Sequence, residues 1–364
     1  MASSVDAPVR AGYWYCDSEF PIPVASIPSQ LFTHLFAASA DVNPHTYEVT
    51  FPEKYKEQFS TFTQTVQHNN KNVKTLLSID GDSTTFSSMA RQHNTRKAFI
   101  DSSISLAKKN NKFHGLSLNW LYPSTESDMT NLGFLLNEWH AAVKKESGRT
   151  GKAQLLLVAA VNFRPTYRSL RYPVDDISRS LDWINVLAYD FYSPDRSWNV
   201  TGPFAALKKA DNPHCGDTGV TAWLVDAHVP ANKIVLGLPF YGYAWRLEDG
   251  NNKLLFPPAD GPANEVHVAA DGGHGAIFYN QIVLFRETHP NGKGEYIENF
   301  VFDYFRDGNT WIAYNGKKSI IAKVQYAREK QLLGYFASHL GADDVRDWTL
   351  SEAANDAWLP PAKG

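Results

Sequence analysis

Residues 113–123, Phe-His-Gly-Leu-Ser-Leu-Asn-Trp-Leu-Tyr-Pro, read as a buried strand running into a Pro-terminated loop. Successive side chains on a strand point to opposite faces. Ser117, Asn119 and Leu121 therefore share one face, and Leu116, Leu118 and Trp120 share the other. The first face offers hydrogen-bonding groups but no side chain that can deliver a proton at neutral pH, so it holds no general acid. The carboxylates lie elsewhere. Ser78, Asp80 and Asp82 alternate along an earlier apolar stretch, which should bring Asp80 beside Asn119. Asp190, next to Tyr189, closes a later one. Two carboxylates in one partly buried mouth repel, and one then binds its proton more tightly than a free Asp. Asp80 is therefore open to two readings. It is a compensating acid hydrogen-bonded in a polar mouth, or it pairs with Asp190 in a reshaped catalytic site.

Eight short apolar segments must position these groups. They are Val9 to Trp14, Thr33 to Ala40, Asn72 to Asp80, Phe113 to Trp120, Gln154 to Val161, Trp183 to Tyr189, Lys233 to Pro239 and Leu332 to Phe336. The fifth is a nearly unbroken apolar run, as a strand covered on both faces of a parallel sheet should be. Helix-like stretches such as Thr95–Asn110, Ser127–Ser147 and Ser319–Lys330 fall between them. This alternation predicts an α/β fold, a parallel (β/α)8 barrel. The roughly ninety residues from Phe240 to Gln331 are too long for a loop and must carry structure of their own. Gly272-Gly273, Asn291-Gly292 and Asn315-Gly316 mark turns within them. Residues 1–240 and 309–364 are thus assigned to the barrel, and residues 241–308 to a small α+β insertion on its C-terminal face.

With 364 residues, 43% of them hydrophobic, the chain can bury a large core. A net charge of -3 argues against nucleic acid or an anionic membrane surface as partner. No apolar run is long enough to span a bilayer. The first residues show neither a basic n-region nor an apolar h-region, so no signal peptide is visible. Cys16 and Cys215 have no metal spacing, and their separation leaves pairing open. The strand-borne His34, His114 and His339 lack any His-Glu-x-x-His context, and no Gly-x-Gly-x-x-Gly is present, so no metal or cofactor is expected. The chain is read as a monomer with a small-molecule or oligosaccharide ligand.

The 113–123 stretch resembles the signature strand of family 18 glycoside hydrolases, the chitinases. That strand reads Phe-His-Gly-Leu-Asp-Leu-Asp-Trp-Glu-Tyr-Pro. Gly12-Tyr13-Trp14, Leu31-Phe32-Thr33-His34-Leu35-Phe36, Ala188-Tyr189-Asp190-Phe191-Tyr192 and Tyr241-Gly242-Tyr243-Ala244-Trp245-Arg246 follow the same pattern in register. The similarity runs along nearly the whole chain and is greatest to plant class V chitinases. It implies a barrel with an insertion before the last strand, and a secreted or vacuolar location.

The resemblance also implies roles. In that family the substrate assists its own hydrolysis. A Glu at the position of Leu121 protonates the glycosidic oxygen, and an acid at the position of Asn119 orients the N-acetyl group. Tyr189 and Asp190 hold that acetamide, and a Trp at the position of Ser338 floors the sugar ring. Here none of the three family acids is retained, Ser117, Asn119 and Leu121 standing in their place. Losing the proton donor alone should cost about 10² to 10⁴ in rate. The ligand-binding set is Tyr13, Phe36, Asp80, Asn119, Trp120, Tyr122, Tyr189, Asp190, Tyr241, Arg246 and Ser338, with Trp245 as a further groove aromatic. Three functions follow as expectations. The first is a chitinase-like protein that binds carbohydrate without hydrolysing chitin, of lectin or defence type. The second is a repurposed enzyme using Asp80, Asp190 and Tyr189 as catalytic candidates, with His339 beside them. The third is a proteinaceous inhibitor of another glycosidase.

Overall fold

The computed structural model describes residues 7–109, 112–197, 199–208, 214–248, 253–263, 266 and 275–360. Eight parallel strands close on themselves: β1 (Val9–Tyr15), β2 (His34–Val42), β3 (Lys74–Asp80), β4 (Gly115–Asn119), β5 (Leu156–Asn162), β6 (Trp183–Leu187), β7 (Ile234–Pro239) and β8 (Gly334–Ser338). Each pairs with its neighbours in chain order, and β1 pairs with both β2 and β8. The seam is tight. A Cβ added at Gly334 would lie 1.7 Å from the Val9 carbonyl oxygen, so only glycine lets the two backbones meet there.

Alternation sorts the strand side chains into two cores. Tyr13, Phe36, Leu76, Val158, Trp183 and Phe336 are among those that fill the interior. Leu35, Leu77, Leu116, Leu157 and Leu236 join the outer core with the helices. Two of those helices, His93–Lys108 and Glu126–Thr150, are clamped by the Arg96–Glu138 ion pair at 2.7 Å. The second starts in a capping box: Thr125 Oγ1 accepts from the Asp128 amide, and Asp128 Oδ2 accepts from the Thr125 amide. It ends at Gly151, whose φ of 67° suits a glycine C-cap. Cys16 and Cys215 are both buried and unpaired. No described helix is long and apolar enough to cross a membrane.

A second, antiparallel sheet starts at Tyr241 and extends past residue 308. It orders Ala259–Pro262, Tyr241–Leu247, Thr310–Tyr314, Phe302–Asp307 and Lys293–Ile297. Ala276–Phe278 also pairs with Tyr241–Leu247, and the helix Tyr279–Thr288 follows it. Thr310–Tyr314 returns to pair with Tyr241–Leu247 before the chain re-enters the barrel. Gly272-Gly273 lies outside the described residues.

Candidate functional site

The C-terminal ends of β3 and β4 form one wall of the barrel mouth. Asp80 and Asn119 are register partners there. Asp80 Oδ2 accepts a hydrogen bond from Ser39 Oγ at 2.6 Å, and Oδ1 accepts from Ser78 Oγ at 3.1 Å. Burial raises the proton affinity of Asp80, hydrogen bonds from Ser39, Asn119 and Ser78 oppose that, and the charge of Asp17 adds to it. Alternation therefore placed Asp80 correctly beside Asn119. Ser39, its closest partner, was not foreseen.

Asp190 follows β6 and faces a different wall. Its Oδ1 accepts from Tyr241 Oη at 2.7 Å and from Tyr243 Oη at 3.1 Å. Its carbonyl accepts from Arg196 Nη1 at 3.0 Å. Its φ of 62° is in the left-handed region, which Asp tolerates better than most residues. Burial raises its proton affinity too, against the two tyrosine hydroxyls and the charge of Arg196. Asp80 is not among the charges acting on Asp190. The expected repelling pair is thus corrected: each carboxylate has its own donors, and burial shifts both.

On the Asp190 side of the mouth lies a cavity of about 320 Å3, whose lining does not include Asp80 or Asn119. Asp190, Tyr241, Ser338 and His339 line it, together with Tyr15, Tyr243 and Phe278. The last three were not assigned from sequence. Tyr15 and Tyr243 extend the alternation of Tyr13 and Tyr241 by one step, so their signal was there to be used. The charge of Asp80 acts on Tyr15, whose proton affinity is raised first by burial and then by that charge. His339 packs edge-on to Tyr15 and Phe278, with centroids 5.3 Å and 4.9 Å away. Its burial lowers the imidazole pKa to about 4. Tyr189 packs edge-on to Tyr241, and Ser338 hydrogen-bonds to its side chain.

Several expected ligand contacts stand elsewhere. Tyr13 and Phe36 stack on each other at 4.3 Å, and Asn185 Nδ2 donates to Tyr13 Oη at 2.8 Å. At 4% and 0% exposure they form the floor of the barrel rather than open ring faces. Trp120 is 2% exposed and stacks on Phe86 in the outer core, as its strand face requires. Trp245 is buried against Trp311 inside the insertion. Arg246 bonds Asp260 at 2.8 Å on the exposed side of the insertion sheet, so it cannot neutralise the mouth. Tyr122 packs on Tyr167 with ring centroids 4.5 Å apart, and the charge of Asp190 reaches it.

On β4 itself, Ser117 is fully buried, Asn119 is half-buried, and Leu121 just beyond the strand is 44% exposed. No titratable group stands at any of the three positions. The chemical repertoire of the mouth is thus two carboxylates of raised proton affinity, several phenols and a neutral imidazole. Among the described residues, no group of three His, Cys, Asp or Glu could hold a metal ion.

Comparison with known proteins agrees with this architecture. The pattern of glycosyl hydrolases family 18 matches residues 9–343. A class V chitinase of Arabidopsis thaliana is 48% identical over 363 residues, 98% of this chain and 91% of that protein. A class V chitinase mutant from Nicotiana tobaccum in complex with NAG4 superposes with a TM-score of 0.91 at 44% identity, covering 97% of this chain and 99% of that one. The chitinase-like agglutinin RobpsCRA from Robinia pseudoacacia superposes with a TM-score of 0.87 at 42% identity, covering 96% and 100%. On this evidence, carried by nearly its full length, the chain belongs to family 18 of the glycosyl hydrolases.

Proposed function

We propose that this chain is a chitinase-like protein that binds N-acetylglucosamine oligosaccharides in the barrel mouth and does not hydrolyse them. The observation that carries this reading is the mouth-facing edge of β4, where Ser117, Asn119 and Leu121 supply no proton donor and no charge. A leucine cannot protonate a glycosidic oxygen. Asn119 can hydrogen-bond an acetamide but cannot stabilise a cationic intermediate. Asp190, Tyr189 and Tyr241 still offer a polar pocket for an amide. The NAG4 complex of the Nicotiana relative and the name of the Robinia agglutinin support a sugar-binding role.

The test is calorimetry with a tetramer of N-acetylglucosamine, run beside a hydrolysis assay on the same oligomer. Saturable binding with no product above a heat-inactivated control is the expected result. Turnover would overturn the reading, and so would the lack of both binding and turnover. A second reading, a repurposed enzyme, draws on Asp80. Burial raises the proton affinity of its half-buried carboxylate, the direction a general acid needs. Asp80-dependent turnover of a different small molecule would favour it.

A further inference from the structure

At the end of the barrel opposite Asp190 lies a larger cavity of about 740 Å3. It opens where β3, β4 and β5 begin, between the ends of the helices His93–Lys108 and Glu126–Thr150. Five lysines line it: Lys74, Lys108, Lys112, Lys144 and Lys152. Lys108 is engaged, with the Ala153 carbonyl at 2.7 Å and Glu146 at 3.4 Å. The other four have no ion-pair partner within 4 Å among the described residues. The one acid in the lining is Asp182, which accepts from the Leu157 amide at 2.7 Å. Such a concentration of positive charge is local, since the chain as a whole carries -3.

We propose that this cavity is a second binding site, separate from the barrel mouth, for a small molecule that carries phosphate or sulfate groups. The volume falls in the range of about 300–1,000 Å3 typical of small-molecule sites. Ammonium groups bind such oxyanions as point charges. Apolar surface from Phe113, Leu155 and Leu156 can cover the uncharged body of the ligand. A cation would meet repulsion from four unpaired lysines. A nucleic acid or a membrane would need a broad basic face, and here the charge is confined to a concavity.

His114 supplies an internal reporter. Its Nδ1 accepts from the Thr75 amide at 3.1 Å, so Nε2 carries the proton of the neutral ring. Burial first, and then the charges of Lys74 and Lys108, hold its proton affinity down. A bound anion would cancel part of that lysine field and let the ring protonate at higher pH.

The experiment titrates the full chain with inorganic pyrophosphate at low salt by calorimetry and follows the His114 ring resonances against pH by NMR. We expect saturable binding, an upward move of the His114 midpoint, and loss of binding at ~0.5 M salt, where charges are screened within a few ångströms. The double substitution Lys144→Glu/Lys152→Glu reverses two exposed charges, and we expect it to weaken pyrophosphate binding by about tenfold or more. Tetrasaccharide binding at the mouth should not change, so this proposal and that for the mouth fail independently. A parallel titration with inorganic sulfate tells a sulfate ligand from a phosphate one. Absence of saturable binding of both anions at low salt would overturn the proposal. Binding that survives the double substitution undiminished would also overturn it.

Discussion

Asp80 and Asn119 stand side by side across β3 and β4, hydrogen-bonded to each other at the rim of the barrel. The carboxylate also takes hydrogen bonds from Ser39 and Ser78. An acid that could serve the mouth is thus anchored one strand away from the edge of β4. If the proposed sugar site uses it, Asp80→Ala should weaken tetrasaccharide binding by about 1.5–3 kcal/mol, the value of a hydrogen bond to a charged group. Calorimetry on the variant measures this. An unchanged affinity would confine Asp80 to holding Ser39 and Asn119 in place.

Leu121→Glu places a proton donor just beyond the end of β4. We expect no measurable chitin hydrolysis from this variant. Asn119 supplies no orienting charge, and Ser338 cannot stack on a sugar ring. Product from the single variant in an oligomer assay would show that the remaining mouth is competent.

Tyr241→Phe removes the shorter of the two phenolic hydrogen bonds to Asp190. That bond lowers the proton affinity of Asp190 against the effect of burial, so its loss should push the Asp190 midpoint further up. Tetrasaccharide affinity measured across pH should show the midpoint moving upward. At neutral pH we expect affinity to fall by roughly tenfold, about the value of one charge-assisted hydrogen bond.

Lys323 is buried where the insertion rejoins the barrel. Its Nζ donates to the Ala205 carbonyl and to Asn315 Oδ1, both at 2.6 Å. Burial lowers its pKa from 10.5 to about 7. Between those two values the unfolded chain binds the proton that the folded chain has released, so stability from this group rises with pH across that window and is lost as pH falls through it. Lys323→Met should abolish that part of the slope. At pH 7 it should also cost about 1–3 kcal/mol, because two buried acceptors lose their donor. Denaturant unfolding of both proteins at a series of pH values checks both effects.

The barrel was legible because its strands are apolar runs at regular intervals, and β5 lies within two residues of its expected start. The Asp80–Asn119 contact was legible too, since it needs only alternation and the adjacency of consecutive strands. Ser39 was not. The β2–β3 register shifts between Ala37 and Ala40, and no periodicity forecasts such a shift. Trp120 differs for another reason: alternation puts it on the outward strand face, where it stacks on Phe86, and aromatic character alone says nothing about which face it takes. Arg246 went astray because its partner, Asp260, lies on a neighbouring strand whose pairing cannot be read locally. Thr310–Tyr314 returns to pair with Tyr241–Leu247, a long-range pairing that no local turn signal announces.

The passage from β7 into Tyr241–Leu247 has a consequence for how this molecule can be re-engineered. One residue, Phe240, separates a barrel strand from the strand that delivers both phenols to Asp190. The insertion is therefore not an exchangeable module that can be trimmed to leave a working barrel. Excising it would strip Asp190 of both hydroxyl donors and expose Ser338 and His339 to bulk water. A smaller barrel made from this chain would need a new wall as well as a new loop.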